Sequence, residues 1–428
     1  MAEVVAVVGG GYSGTIAAAE LARAGVQTVL IERSGSFAAG AAYRTREPAH
    51  LLNVRAQNMS AFAADCDHFS TWVQKEGLGN GETFVPRRDY HRYLAHILEA
   101  AVQTGRVELL NGDVLATDGR HLLLAGGQRF PCRAAVLAGG NYPSRLPAFL
   151  RGPNAVENPW GPEGAAALKR LAKQDGDVLL LGTGLTMVDV ALTLSNAGFP
   201  SRIIATSRRG LVPRPHEQPG VEPLPAPPPG SLREMTRDLR AAAEAGGWRA
   251  AVDSLRPVAQ SLWMELSDAE KWRFLRHLRP WWDVHRHRIA PPVAACIAAL
   301  QREGRLEILP GRISGFEAGT VSISRRGGGS EVRRQVSGVV NCTGPEGAIG
   351  RVDDPLIRHL LSSGQARADS LGIGLDVDCA SRVIAADGAA STSLYAVGPL
   401  TRGIFWEIVA VPNIREQARD VAETIAAY

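Results

Sequence analysis

The chain has 428 residues, of which 45% are hydrophobic and 21% are charged, and its formal net charge is +4. This composition is typical of a globular protein with a large core and excludes a disordered chain. For this length the positive charge is too small to indicate a nucleic-acid-binding protein.

The N-terminal residues and the cysteines predict where the protein works. Met1-Ala2-Glu3 leads directly into a strand-like run without a basic stretch, so we expect no signal peptide. Residues 178–194 are apolar, but they contain Asp189 and two glycines and are too short for a full membrane span. The five cysteines are scattered without C-x-x-C spacing. We therefore expect a cytoplasmic protein with free thiols, no metal site and no membrane segment.

The chain opens with the run VVAVVGGGYSG, which predicts a buried parallel strand over 4–8 followed by a glycine loop. An alanine-rich helix and a second strand ending at Glu32 complete a βαβ unit. In such a unit Gly9 makes the turn, Gly11 lets a pyrophosphate approach the backbone, and Gly14 lets the helix pack closely. Glu32 accepts hydrogen bonds from a ribose, and Ser13 lies at the helix start that faces the phosphates.

A second unit of this kind begins at residue 178. The strand over 178–181 is followed by Gly182-Thr183-Gly184 and a helix over 185–196. The second unit has no counterpart of Glu32, because its next strand ends in Ser207-Arg208-Arg209. Arginines pair with a 2′-phosphate, so this unit prefers NADP to NAD. The candidate binding residues are Gly182, Gly184, Leu185, Thr186, Ser207, Arg208 and Arg209.

The second glycine loop departs from the fingerprint at its third position, which is Met187. A side chain there predicts looser packing between helix and strand. The alternative is a degenerate Rossmann half that binds nothing and carries a solvated arginine pair.

Each glycine loop is followed by a similar stretch. Residues 105–140 and 304–344 both predict a strand, then a hairpin, then a final apolar strand that is followed by glycine. The fold class is therefore α/β, with two Rossmann-like domains, the second inserted in the first. A chain with two such units needs a flavin and a hydride donor, and the extra length between Glu32 and Gly105 fits a larger ligand, so we expect FAD at the first unit and name the two domains the FAD and NADP domains. We predict the first part of the FAD domain at 1–165, the NADP domain at 166–345 and the second part of the FAD domain at 346–428.

The NADP domain carries an insertion at 211–300, which begins with a proline-rich loop and continues as helices. Residues 271–288 combine six basic side chains with three histidines and four aromatic residues. This composition has three interpretations. Two of them are a binding site for single-stranded nucleic acid and a metal site formed by His277, His285 and His287. The favoured one is a helical cap with its tryptophans packed inward and its arginines solvated or paired. Such a cap would exclude water and recognise an anionic substrate through Arg286 and Arg288.

Several stretches resemble a bacterial FAD/NAD(P)-binding family of flavoproteins with two dinucleotide-binding domains, the class of flavin monooxygenases and pyridine-nucleotide reductases. The matching stretches are residues 40–63, 84–94, 281–291 and 398–418, together with the second glycine loop.

The resemblance implies that FAD binds at the first unit and NADPH at the second. It implies further FAD contacts from Val114, Ala138, Gly139, Gly140 and Asn413. Relatives carry Gly-Asp where this chain has Gly398-Pro399, so the contact of an aspartate with the ribitol is in question. Amides at the start of the last helix would stabilise negative charge on reduced flavin.

The catalytic candidates lie where the chain should pass the flavin ring. After the first unit these are His50, Asn53, Met59 and Ser60, with Asn53 and Met59 also expected to contact the cofactor. Where the chain returns they are Arg402, Trp406 and Glu407. For these residues the alternative is a structural role, as a buried tryptophan beside a satisfied ion pair or as the start of a capped helix.

The primary hypothesis is an NADPH-using flavoenzyme, a monooxygenase-like hydroxylase that oxygenates a small molecule through a peroxyflavin. The alternatives are an NAD(P)H-dependent reductase or electron-transfer protein, and a non-catalytic redox sensor that only binds FAD and NADP. The lack of C-x-x-C spacing excludes dithiol reductase chemistry.

Overall fold

The computed structural model describes residues 4–217, 220–325 and 330–427. Met1-Ala2-Glu3, for which we expect no signal peptide, lies outside the described residues, as do short parts of the proline-rich loop and of the second hairpin.

The strands are short and alternate with helices. In chain order they are β1 (Val5–Val8), β2 (Thr28–Glu32), β3 (Val107–Asn111), β4 (Val114–Thr117), β5 (His121–Leu124), β6 (Arg129–Pro131), β7 (Ala134–Leu137), β8 (Ala155–Val156), β9 (Val178–Leu181), β10 (Ile203–Ser207), β11 (Leu306–Pro310), β12 (Arg312–Glu317), β13 (Thr320–Ser324), β14 (Val332–Gln335), β15 (Gly338–Asn341), β16 (Arg382–Ile384) and β17 (Ala390–Ala396).

The helices fill the connections between these strands. They are α1 (Tyr12–Arg23), α2 (Gly40–Tyr43), α3 (His68–Lys75), α4 (Arg87–Gln103), α5 (Gly164–Leu171), α6 (Leu185–Asn196), α7 (Leu232–Gly246), α8 (Trp248–Ser254), α9 (Ala259–Glu265), α10 (Asp268–Arg273), α11 (Arg279–Arg286), α12 (Pro291–Arg302), α13 (Pro355–Ser362) and α14 (Val411–Ala426). A π-helical turn at Phe274–Leu278 joins α10 to α11.

Two mainly parallel sheets organise the chain. The first has the order β16-β17-β7-β1-β2-β3, and the second has the order β11-β10-β9-β15-β8. The central strands β1, β7 and β9 are apolar throughout because helices or hairpins cover both faces of each sheet. The predicted α/β class with two Rossmann-like units is confirmed.

The predicted repeat is visible in the topology. In the first unit β3 joins the sheet beside β2, the antiparallel hairpins β4-β5-β6 follow, and β7 returns beside β1. In the second unit β11 joins beside β10, β12-β13-β14 follow, and β15 returns beside β9. Each glycine loop therefore belongs to a complete strand–helix–strand–hairpin–strand unit.

The chain leaves the first sheet after β7 and returns to it with β16 and β17, of which β17 pairs with β7. The short strand β8 pairs with β15 in the second sheet. The predicted division at residue 165 therefore separates β8 from the sheet that it joins.

Helices α7 to α11 lie in the insertion, and together they form the predicted helical cap. The arginines of the cap are solvated or paired, in line with the prediction, whereas two of its tryptophans do not pack inward. Trp272 and Trp281 are about half exposed, whereas Arg286 and Arg288 are buried. The guanidinium of Arg288 donates to both carboxylate oxygens of Asp253, at 2.7 and 3.0 Å. These arginines can be buried in the cap because buried carboxylates neutralise their charges.

Aromatic stacking attaches the cap to the C-terminal return of the chain. The ring of Trp263 stacks on Trp406 with centroids 4.6 Å apart, and Phe274 meets Trp406 edge-on. Trp263 Nε1 also donates to the carbonyl of Gly403 at 2.9 Å. The cap is thus fixed on the segment that leads to α14.

Breaking the buried pair of Arg288 and Asp253 should destabilise the cap. In Asp253→Asn the guanidinium of Arg288 stays buried without a counter-charge, so we expect the free energy of unfolding to fall by about 3–5 kcal/mol. Asp238→Asn, which removes an exposed partner of Arg237 on α7, is the control and should change little. Chemical denaturation measures both, and equal effects would contradict the proposed contribution of the buried pair.

Candidate functional site: two glycine cradles and the segment that joins them to the cap

The residues predicted for the first site converge at one edge of the first sheet. In the register of the sheet, Val8 lies opposite Ile31 and Leu137, and Leu137 lies opposite Ala396. The residues that follow these strand ends are therefore neighbours in space. They are Gly9, Glu32, the run Ala138-Gly139-Gly140, and Gly398 with Pro399.

Backbone crowding explains the glycines of the first loop. Gly9 has a φ of 112°, and a Cβ there would lie 2.5 Å from the carbonyl oxygen of Ala138. A Cβ on Gly14 would lie 1.8 Å from the carbonyl oxygen of Gly9. A side chain at either position would force the turn and the start of α1 apart. Gly40, which the motif analysis missed, crowds Gly11 in the same way and has a left-handed φ of 55°.

Glu32 lies at the end of β2 beside this loop. One of its carboxylate oxygens accepts a hydrogen bond from the backbone amide of Gly10 at 2.8 Å. The other accepts from the amide and the hydroxyl of Ser34. The carboxylate is thus held beside the glycine turn, where the fingerprint requires it for a ribose.

Val114 starts β4 directly after the end of β3. Asn111 pairs with Glu32, and the amide of Gly112 donates to the carbonyl of Glu32 at 3.2 Å. The side chain of Val114 is buried against other apolar residues, so only its backbone could serve a nucleotide base.

The segment that follows β17 completes the first binding site. We call this site the first cradle; it consists of the loop of residues 9–14, Glu32, residues 138–140 and Gly398. Gly398 has a φ of 72°, and a Cβ there would lie 2.4 Å from Ser13 Oγ at the start of α1. Its amide donates to the side chain of Gln417 at 2.7 Å. Pro399 is buried in a 3₁₀ turn, and it supplies neither a carboxylate nor an amide. The position of the ribitol-binding aspartate in relatives is therefore without an acid here.

The helix N-termini at the two glycine loops and at the start of the last helix carry no capping side chain. The helices α1, α6 and α14 begin after Gly11, Gly184 and Ala410, without a side-chain cap and without an acid in the first turn. Of the helices described, α7, α10 and α13 have side-chain caps, from Ser231, Ser267 and Asp354, and the remaining helices have none. Free N-terminal amides at the glycine loops favour anionic ligands such as phosphates. Asn413 lies in the first turn of α14 and is partly exposed there.

The second cradle repeats the first on the second sheet. Gly182 has a φ of 120°, and a Cβ there would lie 2.2 Å from the carbonyl oxygen of Cys342. Thr183 Oγ1 lies 2.7 Å from Ser207 Oγ and ties the glycine turn to the end of β10. Gly184 faces open space, and Leu185 and Thr186 begin α6 beside it.

Arg208 and Arg209 follow Ser207 at the exit of β10. Arg208 is exposed and Arg209 partly so. Within residues 4–217, 220–325 and 330–427, neither guanidinium makes an ion pair or a hydrogen bond. Both charges are available for a ligand bound at the second cradle.

Met187 at the third position of the second loop is fully buried. Its helix α6 packs against α5 and α12, whereas α1 packs against α4 and α14 and also contacts β1 and β2. This difference is what a bulky side chain at the third position predicts.

His50 lies between the two units. Its Nε2 is 2.9 Å from the carbonyl of Asp189 and 3.0 Å from Thr193 Oγ1, and its Nδ1 is 2.8 Å from Thr45 Oγ1. Both ring nitrogens are therefore engaged by the protein, and burial lowers the pKa of the ring. The geometry assigns His50 a role in docking α6 and leaves it no nitrogen for a substrate.

Asn53, Met59 and Ser60 are held by backbone contacts. The carbonyl of Asn53 is bound by Nε2 of His216 at 2.9 Å, and that of Met59 by the hydroxyl of Tyr90. The carbonyl of Ser60 accepts from Arg415 on α14 at 3.0 Å. The side chain of Asn53 stays partly exposed, whereas Met59 and Ser60 are buried.

Glu407 is buried and paired. Arg286 lies 3.0 Å from one carboxylate oxygen, and Trp282 Nε1 donates to the other at 2.8 Å. Burial alone would raise the pKa of Glu407, but Arg286 and His287 outweigh it and lower the pKa to about 2. The expected recognition of an anionic substrate by Arg286 and Arg288 is therefore wrong, because buried carboxylates already neutralise both.

Arg402 binds backbone rather than an open pocket. Its guanidinium donates to the carbonyls of Ile373 and Glu346, each at 2.6 Å. It holds together the return segment and the link that follows β15, which is a positioning role.

No group of three or more histidine, cysteine, aspartate or glutamate side chains in the described part of the chain could hold a metal ion. The cysteines are free thiols. Within the described ranges, no helix combines the length and apolar character needed to cross a membrane.

Comparisons with known proteins agree with this geometry. Residues 6–142 match the model of a family described as FAD-NAD(P)-binding. A comparison with curated proteins gives no match. Among solved structures, L-lysine 6-monooxygenase from Pseudomonas syringae is 18% identical over 99% of both chains, with a TM-score of 0.67. Ornithine N-hydroxylase from Kutzneria sp. 744 is 16% identical over 99% of both chains, with a TM-score of 0.67.

A thioredoxin reductase from Lactococcus lactis is 12% identical over 99% of both chains, with a TM-score of 0.53. The predicted resemblance to flavoproteins with two dinucleotide-binding domains is thereby confirmed at the level of the fold. The family match agrees with the predicted cofactors, FAD and NADP.

Gly14→Ala should separate the first turn from α1. The added methyl would overlap the carbonyl of Gly9, so we expect a loss of about 1–3 kcal/mol in the free energy of unfolding and a fall in flavin content on purification. Gly184→Ala, at an open position of the second loop with an ordinary φ of −85°, is the control and should leave stability unchanged. A normal flavin content in Gly14→Ala would contradict the close-contact argument.

The pH dependence of stability should reflect His216. Burial lowers its pKa to about 4, and Arg288, Arg256 and Arg55 act in the same direction. Between pH 6.5 and 4 the unfolded chain therefore binds a proton that the folded chain does not. We expect stability to fall with pH in this window by up to about 3 kcal/mol.

In His216→Gln the amide can still donate to the carbonyl of Asn53, but it does not titrate. This variant should show a shallower loss of stability over the same window in urea denaturation at several pH values. Identical slopes in both proteins would assign the effect to other groups.

Proposed function

We propose that the protein is an FAD-dependent oxidoreductase that uses NADPH and hydroxylates a small molecule. The observation that carries the proposal is the pair of glycine cradles. Each lies at the carboxyl edge of its own parallel sheet, and each presents an uncapped helix N-terminus. Two complete nucleotide units in one chain are what hydride transfer from a dinucleotide to a bound flavin requires.

The first cradle fits FAD. The pyrophosphate would lie against the Gly9–Gly14 turn and the amides of α1, with Ser13 beside it, and the ribose would meet Glu32. Gly140 after β7 faces open space where a ligand can approach the backbone, whereas Gly139 and Gly398 pack closely against Tyr142 and Ser13. The uncapped start of α14 would stabilise negative charge on the reduced cofactor, which supplies the redox chemistry.

The second cradle fits NADPH better than NADH. No acid follows β10, and the guanidinium groups of Arg208 and Arg209 have no partner among the residues described. A 2′-phosphate would supply the missing counter-charge through charge-assisted hydrogen bonds. Met187 stands where a glycine would let α6 pack closely on its strand, which suits a donor that binds transiently.

The hydroxylase class is supported over the reductase class by two observations. The N-hydroxylating monooxygenases match the whole chain with TM-scores of 0.67, against 0.53 for thioredoxin reductase. The five cysteines are also scattered in sequence and are free, so the chain offers no dithiol for disulfide chemistry.

Oxygen consumption separates the hydroxylase from its alternatives. The purified protein should show a flavin spectrum and oxidise NADPH with O2, with product formation coupled to NADPH when a substrate is present. Rapid turnover on an artificial electron acceptor, with stoichiometric peroxide release under every condition, would favour the reductase. A bound flavin that NADPH does not reduce would overturn both enzyme classes and leave a binding protein.

Removal of the two arginines should change the nucleotide preference. In the double variant Arg208→Ser and Arg209→Ser, we expect KM for NADPH to rise about 10–100-fold and KM for NADH to stay near its wild-type value. Arg312→Ser, which removes an exposed arginine from β12, is the control and should change neither. Equal losses for both nucleotides would refute recognition of the 2′-phosphate.

A further inference from the structure

The helices of the cap surround a cavity that the nucleotide sites do not use. Its volume is about 450 Å³, and α7, α8, α9, the π-helical turn and α11 form its walls. This volume lies in the range of about 300–1,000 Å³ that is usual for small-molecule sites.

The walls are apolar and largely aromatic. Leu239, Val252, Leu262, Phe274 and Trp282 are representative lining residues. The cavity is open to solvent, since no residue of α7 is buried and Trp281 is about half exposed, so its apolar walls are in contact with water. An apolar ligand would remove that surface from water.

The charge of the lining selects the polar end of the ligand. Among the lining residues, Arg240 on α7 is the one arginine, and there is no lysine, aspartate or glutamate. The side chain of Arg240 is exposed at the rim of the cavity. Its guanidinium makes no ion pair with any residue that the structure describes, whereas the nearby Arg237 pairs with Asp238. The lining contains no carboxylate, so burying an ammonium group there would be costly. A carboxylate at the rim would instead gain a partner.

The cavity touches one residue outside the cap. Trp406 lines it and stacks on Trp263, and the neighbouring Phe405 packs into the core of the first unit. An occupant of the cavity would therefore contact the segment that leads to the uncapped start of α14.

We propose that the cap cavity binds a small apolar carboxylic acid, with its hydrocarbon part among the aromatic side chains and its carboxylate against Arg240. The proposal concerns binding, and it stands or falls independently of the proposed hydroxylase activity.

Titration calorimetry on the flavin-loaded protein with three ten-carbon probes tests it, each used below its micelle-forming concentration. Decanoate should bind about 2–5-fold more tightly than decan-1-ol, since an ion pair with the exposed guanidinium of Arg240 adds a modest gain to the apolar contacts. Decylamine, which is cationic at neutral pH, should bind most weakly. Absence of decanoate binding, or equal binding of decylamine, would overturn the proposal.

Matched variants on α7 locate the site. Ala243 lines the cavity and Ala245 is exposed outside it, so Ala243→Phe should weaken decanoate at least about 10-fold and Ala245→Phe should not. Arg240→Gln should reduce the affinity for decanoate to that for decan-1-ol, whereas Arg233→Gln, which removes another exposed arginine of α7, should leave it unchanged.

Equal affinity in Ala243→Phe and Ala245→Phe would place decanoate elsewhere and overturn the assignment. A vesicle sedimentation assay with phosphatidylglycerol covers the remaining alternative, because Trp272 and Trp281 are exposed on the same cap. Binding to these vesicles without binding of monomeric decanoate would replace the proposal with a lipid-surface contact.

Discussion

The close contact between Gly14 and the carbonyl of Gly9 is the constraint on which the first site depends. A helix that starts this close to a strand end directs its free amides over the carboxyl edge of the sheet. The parallel register then brings the exits of β2, β7 and β17 to the same edge. The second unit repeats this arrangement, with Met187 in place of the third glycine, so the two cradles share a topology and differ in how closely the helix approaches.

The parts of the structure that the sequence predicted are those set by local chemistry. Each glycine loop, its helix and the strand that follows lie within about 30 residues, which is the length of one βαβ unit. Turn glycines and apolar runs therefore predicted α6 to the residue and predicted the repeated hairpins. The pairing of Arg208 and Arg209 with a phosphate remains a prediction, because it depends on a ligand.

The sequence did not predict the roles of individual side chains, because these roles depend on contacts with residues far away in the sequence. His50 meets Asp189, which lies 139 positions later, and Glu407 meets Arg286 from the cap. The composition of residues 271–288 could not show which face would be buried. An amphipathic pattern predicts tryptophans inside, but buried acids at Asp253 and Glu407 drew the arginines inside instead.

Residues 398–411 connect the first glycine loop, the link that follows β15 and the cap. Gly398 touches the start of α1, and Arg402 holds the carbonyl of Glu346 beyond β15. The carbonyl of Gly403 accepts from the cap, and Glu407 has a left-handed φ of 66° in which it reaches Arg286. A buried ion pair contributes little net stability, but it penalises any arrangement that separates its charges. The pair of Glu407 and Arg286 therefore fixes where the cap lies, and a displacement of the cap would be transmitted to the first turn of α14 through four residues of chain.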